Sequence, residues 1–115
     1  MTATVRVFFV HGLETLPVVA GSVLRLDSVM TLKLPPLSGE QVSCDTSTQG
    51  DSAAAPARTG LAYVQVQDGK KVAFEKTISS ADLRTVSATA SPVISGNQTL
   101  VVGPGDKLSF LEVSS

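Results

Sequence analysis

The chain has 115 residues, 43% hydrophobic and only 17% charged, with a net charge of −1 and a mean hydropathy of +0.25. That length suits one domain, 1–115, with a real core, and the hydropathy excludes a disordered chain. No basic stretch offers the footprint nucleic acid requires, and no run approaches the ~20 apolar residues that span a bilayer.

The chain opens on a β pattern. Val5, Val7 and Phe9 share one face, and Arg6, Phe8 and Val10 the other, until His11-Gly12 interrupts. Apolar residues on both faces suit a strand covered from both sides. In "GSVLRLDSVMTLKLPP" the residues Leu24, Leu26, Met30, Leu32 and Leu34 alternate with polar ones. That is the period of a half-buried strand, single or broken near Asp27-Ser28, and Pro35-Pro36 ends it.

Residues 35 to 60 read as one long loop of low hydrophobicity, apart from Val42. "LAYVQVQDGKKVAFEKTI" then reads as a hairpin about Asp68-Gly69. A three-residue loop with a bulge at Gly69 sets Val64 against Val72 and Ala62 against Phe74, so that like faces meet. "SSADLR" offers either one helical turn or a loop, and "TVSATASPVI" a weaker strand broken by Pro92. "QTLVV" and "KLSFLEV" are strands about the turn "GPGD". The expectation is an all-β fold: an antiparallel, jelly-roll-like β-sandwich of about seven or eight strands.

The inventory of reactive groups is sparse. Cys44 and His11 are the single cysteine and histidine. They could pair as nucleophile and base, but no accompanying motif places them together. A zinc site needs about four ligands, which this chain lacks the histidines and cysteines to supply. Asp45, Thr46, Gln49 and Asp51 share a loop, without the spacing of a calcium loop. "GPGD" matches no phosphate-binding pattern, and "NQT" at 97–99 is a chance glycosylation triplet. No pair of carboxylates converges. The reading is a protein without catalytic residues, metal or cofactor.

"TATVRVFFVHG", which starts a strand with no leader, "AGSVLRLDS" and the closing "VVGPGDKLSFLEV" resemble the small β-sandwich decoration (cement) proteins of tailed bacteriophages. The resemblance implies a homo-oligomer, dimer or trimer, that clamps neighbouring capsid subunits. It places the protein in the virion, assembled in a host cytoplasm; without the resemblance the expected place is the cytoplasm. The alternative is a carbohydrate- or receptor-binding module of an adhesive fibre, although Tyr63 is the one tyrosine and there is no tryptophan to stack on a sugar.

Protein-binding residues are expected in two places. Phe8, Val10 and Leu111 lie where both strand faces are apolar. Asp45, Asp51 and above all Arg58 lie in the long loop, which exceeds the usual connection. That loop is expected to be an arm, ordered only against a neighbour and removable at 46–57 without loss of folding.

Overall fold

Ten strands and no helix make up the structure, a computed structural model that describes residues 2–19, 26–32 and 35–113. The strands are β1 (Ala3–Val10), β2 (Leu13–Val19), β3 (Leu26–Leu32), β4 (Ser38–Cys44) and β5 (Gly50–Asp51), followed by β6 (Leu61–Val66), β7 (Lys71–Thr77), β8 (Val93–Ser95), β9 (Asn97–Val101) and β10 (Lys107–Glu112). Eight of them form two four-stranded sheets. The front sheet has the order β4-β1-β6-β9, the back sheet β5-β10-β7-β8, and β2-β3 form a separate two-stranded ribbon. Every pairing is antiparallel.

The two sheets enclose one core. Val5, Val7 and Phe9 of β1, Ala62, Val64 and Val66 of β6, Val72 of β7, and Leu108 and Phe110 of β10 are all buried in it. Alternation decides this. Every second residue of β1 and β6 points inward, and the residues between are half-buried or exposed except Val10, which is buried on the outer face. From β4 onward each connection crosses between the sheets except β7–β8. This is the strand order of a jelly roll, with β1 in the place between β4 and β6 that a final strand usually fills. Ala3 lies opposite Cys44 and Glu112 N donates to Asp45 O at 3.1 Å. Both ends of the described chain therefore meet at the same corner.

Two expectations are corrected and two open alternatives are resolved. The Asp68-Gly69 turn forms, with both residues at positive φ (59° and 66°) and Lys70 N bonded to Gln67 O. It joins strands of different sheets, however, so β6 and β7 do not pair. Their apolar faces meet across the core instead of side by side. Segment 35–60 is not one loop, because it contains β4 and β5. "SSADLR" forms a turn, Ala81 N to Ile78 O, with Ser80 left-handed. β3 runs unbroken through Asp27-Ser28; Leu24, Arg25, Lys33 and Leu34 of that predicted strand lie outside the described residues.

The segment 44–60 is stitched into the sandwich. Ser52 N donates to Leu108 O, Ala55 N to Asp106 O and Gly105 N to Ala55 O. Ser52 Oγ accepts Leu108 N at 2.9 Å. The carboxylate of buried Asp106 closes the "GPGD" turn by accepting Gly103 N at 2.8 Å and Ser79 N at 3.0 Å. Asp106→Ala leaves both donors without a partner. It should cost about 3 kcal/mol of unfolding free energy, measured by denaturant titration; a change below about 1 kcal/mol would show that water replaces the carboxylate there.

Candidate functional site

The outer faces of the two sheets differ. On the back sheet, Ala73, Thr77 and Ser109 point away from the core yet are buried. Residues 78–92 lie over them as a strap. Arg84 N donates to Thr77 Oγ1 and Ser91 Oγ to Glu75 Oε2, while the Gln49 amide spans Val86 N and Arg84 O. Val86 is buried beneath the strap, outside the main core.

Among the described residues no such strap covers the front sheet, where Val10 alone of the outward side chains is fully buried, and its register sorts the outer face into rows. Thr4 lies opposite Ser43. Next come Gln41, Arg6, Gln65 and Asn97 across the four strands, then Gly39, Phe8, Tyr63 and Thr99. Val10, Leu61 and Val101 make the last row, and Val101 is 74% exposed. The face grades from hydroxyls through amides to aromatic and aliphatic groups. A groove of about 300 Å³ opens on it, lined by Arg6, Phe8, Gly39, Glu40 and Gln41. Gly39 makes room for the aromatic ring, since a Cβ there would fall 2.9 Å from Phe8 Cδ1.

Beyond the last row the chain leaves the sandwich. Phe9 pairs with Ser38, and Leu13 with Leu32. β1–β2 and β3–β4 are thus two halves of one long antiparallel pair, whose outer half is the ribbon. Among the described residues β2 and β3 pair only with each other and pack extensively on neither sheet. The radius of gyration is 16.3 Å and the longest extent 56 Å, against about 13 Å for the radius of a compact domain of this length. Register sets Leu13 opposite Leu32, Thr15 opposite Met30, Pro17 opposite Ser28 and Val19 opposite Leu26.

The six residues expected to bind protein do not converge. Phe8 is half-buried on the front face, and Val10, in the row above it, is fully buried. Val10 O accepts Gly60 N at 2.9 Å, which brings the Pro56–Thr59 turn and the exposed, left-handed Arg58 (φ 73°) to the same end. The other three lie around the back sheet. Leu111 is half-buried opposite Ala73, Asp51 pairs with Ser109, and Asp45 meets Glu112. Asp45 and Asp51 are occupied locally. Asp45 Oδ1 accepts Ser47 N and Thr48 N, and these bonds hold its carboxyl below the usual range. Asp51 Oδ1 accepts the Gln49 amide at 2.8 Å. Sequence reasoning missed the ribbon, whose one signal was the alternation in 26–32, and the front-face rows, which need the strand order.

Cys44 and His11 stand at opposite ends of β1, about 25 Å apart by strand rise. Burial first, then the charges of Glu112 and Asp45, push the thiol from 9.0 up to about 11. The neutral form is favoured in the folded chain, so its contribution is complete below pH 9 and lost as pH rises to about 11. Unfolding free energy should fall across that window, and a Cys44→Ala variant should fall less. Equal slopes for the two proteins would contradict the assignment.

Among the described residues, no group of three or more His, Cys, Asp or Glu could hold a metal, and no helix is long and apolar enough to cross a membrane. No protein-family model, curated protein or solved structure matches the chain.

Proposed function

We propose that the chain is a non-enzymatic structural protein of a viral particle, a decoration subunit that self-associates and holds neighbouring capsid subunits. The observation that supports this reading is the ribbon. A two-stranded ribbon is at best marginally stable in water, and a third strand or a packed surface is what secures one. The sandwich has a core of its own, and the ribbon pairs with neither of its sheets. A chain that extends such an element carries one half of a contact, and low charge suits the surface of the other half. Strand pairing along the ribbon edges supplies the affinity, without chemistry.

Light scattering on the purified chain across the micromolar range tests this. The expected mass is that of a dimer or trimer. A monomer throughout, together with no cosedimentation with particles from the same source, would remove the reading. Capsid and portal genes beside its own gene would support the viral part, and their absence would count against it.

A further inference from the structure

We infer that the groove on the outer face of the front sheet binds an acidic saccharide. This goes beyond the assembly reading and does not depend on it.

The argument starts from charge. The outward positions of the four strands are Thr4, Arg6, Phe8 and Val10; Gly39, Gln41 and Ser43; Leu61, Tyr63 and Gln65; and Asn97, Thr99 and Val101. They include one charged side chain, Arg6, and no acid. Glu40 reaches the groove from the same edge strand, and its Oε1 is taken up by Ala53 N at 2.9 Å. Among the described residues Arg6 enters no ion pair. Arg6 is thus the one cation on this face, beside a single carboxylate turned toward Ala53, and its guanidinium is a forked donor for one further carboxylate. A single cation is too little for a polyphosphate backbone.

Hydrogen-bonding capacity gives the second half. Gln41 and Gln65 flank Arg6, and Asn97 lies beyond Gln65. Each amide offers two donors and one acceptor, the combination that matches the paired hydroxyls of a sugar ring. Among the described residues these three amides and the guanidinium bond no protein group. The next row supplies aromatic surface, Phe8 beside Tyr63, on which the C–H face of a sugar can lie. The Phe8 ring lies over Gly39, so the groove floor depends on a missing side chain. An extended acidic peptide would instead be read by backbone pairing along an edge strand, which a face of side-chain amides does not supply.

The test is a titration of the full chain by NMR with hexuronic- and sialic-acid oligosaccharides, their methyl esters, neutral counterparts and a polyglutamate peptide. At least one acidic sugar should shift the amides of Arg6, Phe8, Gln41 and Tyr63, and bind about tenfold or more tighter than its ester. Arg6→Gln should abolish that difference while leaving the thermal midpoint in place. Gly39→Ala, by pushing the Phe8 ring, should weaken acid and ester alike. Failure of every acidic sugar to bind, equal affinity for acid and ester, an acid preference that survives Arg6→Gln, or equal binding of polyglutamate each overturns the inference. None of these results bears on self-association through the ribbon.

Discussion

Replacing residues 12–36 with an Asn-Gly turn should yield a folded protein that no longer self-associates. Asn-Gly is a preferred hairpin connection, and the bond from Leu37 N to Phe9 O at 2.8 Å, just inside the cut, would close the new turn. β1 keeps β4 and β6 on its two sides, and every residue described in the core cluster is retained. The thermal midpoint should therefore change little. Self-association should weaken by at least about hundredfold, because the excised ribbon is the element that pairs with neither sheet. A ribbon face about 23 Å long and 10 Å wide is small beside the ~800 Å² each partner contributes to a standard interface. The row of half-buried Leu61 and exposed Val101, next to the ribbon's base, is the natural continuation of the contact. Light scattering of the parent and the excised chain at matched concentration reads the outcome; an unchanged oligomer would move the interface elsewhere.

Deleting residues 46–57 should have the opposite effect and unfold the protein. The deletion removes β5 from the edge of the back sheet. It also breaks bonds from Ser52 to Leu108, from Ala55 to Asp106 and Gly105, from Ala53 to Glu40, and from Gln49 to Val86 and Arg84. At about 1 kcal/mol each, these approach the 5–15 kcal/mol that holds a whole domain together. Circular dichroism and denaturant titration should show no cooperative transition. A folded variant with an unchanged midpoint would mean that the segment only rests on the sandwich.

The contrast between these two deletions shows what the sequence could reveal. Alternation in "TVRVFFV" and "LAYVQV" marks the inward residues of β1 and β6 directly, because a half-buried strand exposes every second position. The Asp68-Gly69 turn was legible too, as chain reversal is local chemistry. Which strand pairs with which is not local. β6 reverses into β7 as a hairpin would, yet each strand takes its partners from distant segments, β1 and β9 for one and β10 and β8 for the other. β4 was hidden for a related reason. It is an edge strand with two buried residues, Val42 and Cys44, so its composition resembles a loop. Pro17 disguised β2, since proline cannot donate to a ladder and a strand with a partner on one side tolerates it. Segment 44–60, which loop length marked as an arm, is bonded into the sandwich instead, and the element outside its two sheets is the β2-β3 ribbon.

The site was less legible than the fold. Phe8 stands out because both faces of β1 are apolar, and it is half-buried on the outer face of the front sheet. Arg6, Gln41, Gln65 and Asn97 come from four different strands and form a row only after those strands are ordered. No spacing in the chain encodes that row.

The central claim, that the ribbon is one half of a contact, is tested most directly by amide hydrogen exchange at residues 13–19 and 26–32 as concentration is raised. Protection there should be low in dilute solution and rise through the micromolar range, while Val64 and Phe110 in the core stay protected throughout. Protection at 13–19 and 26–32 that is independent of concentration, with no added particle changing it, would contradict the account.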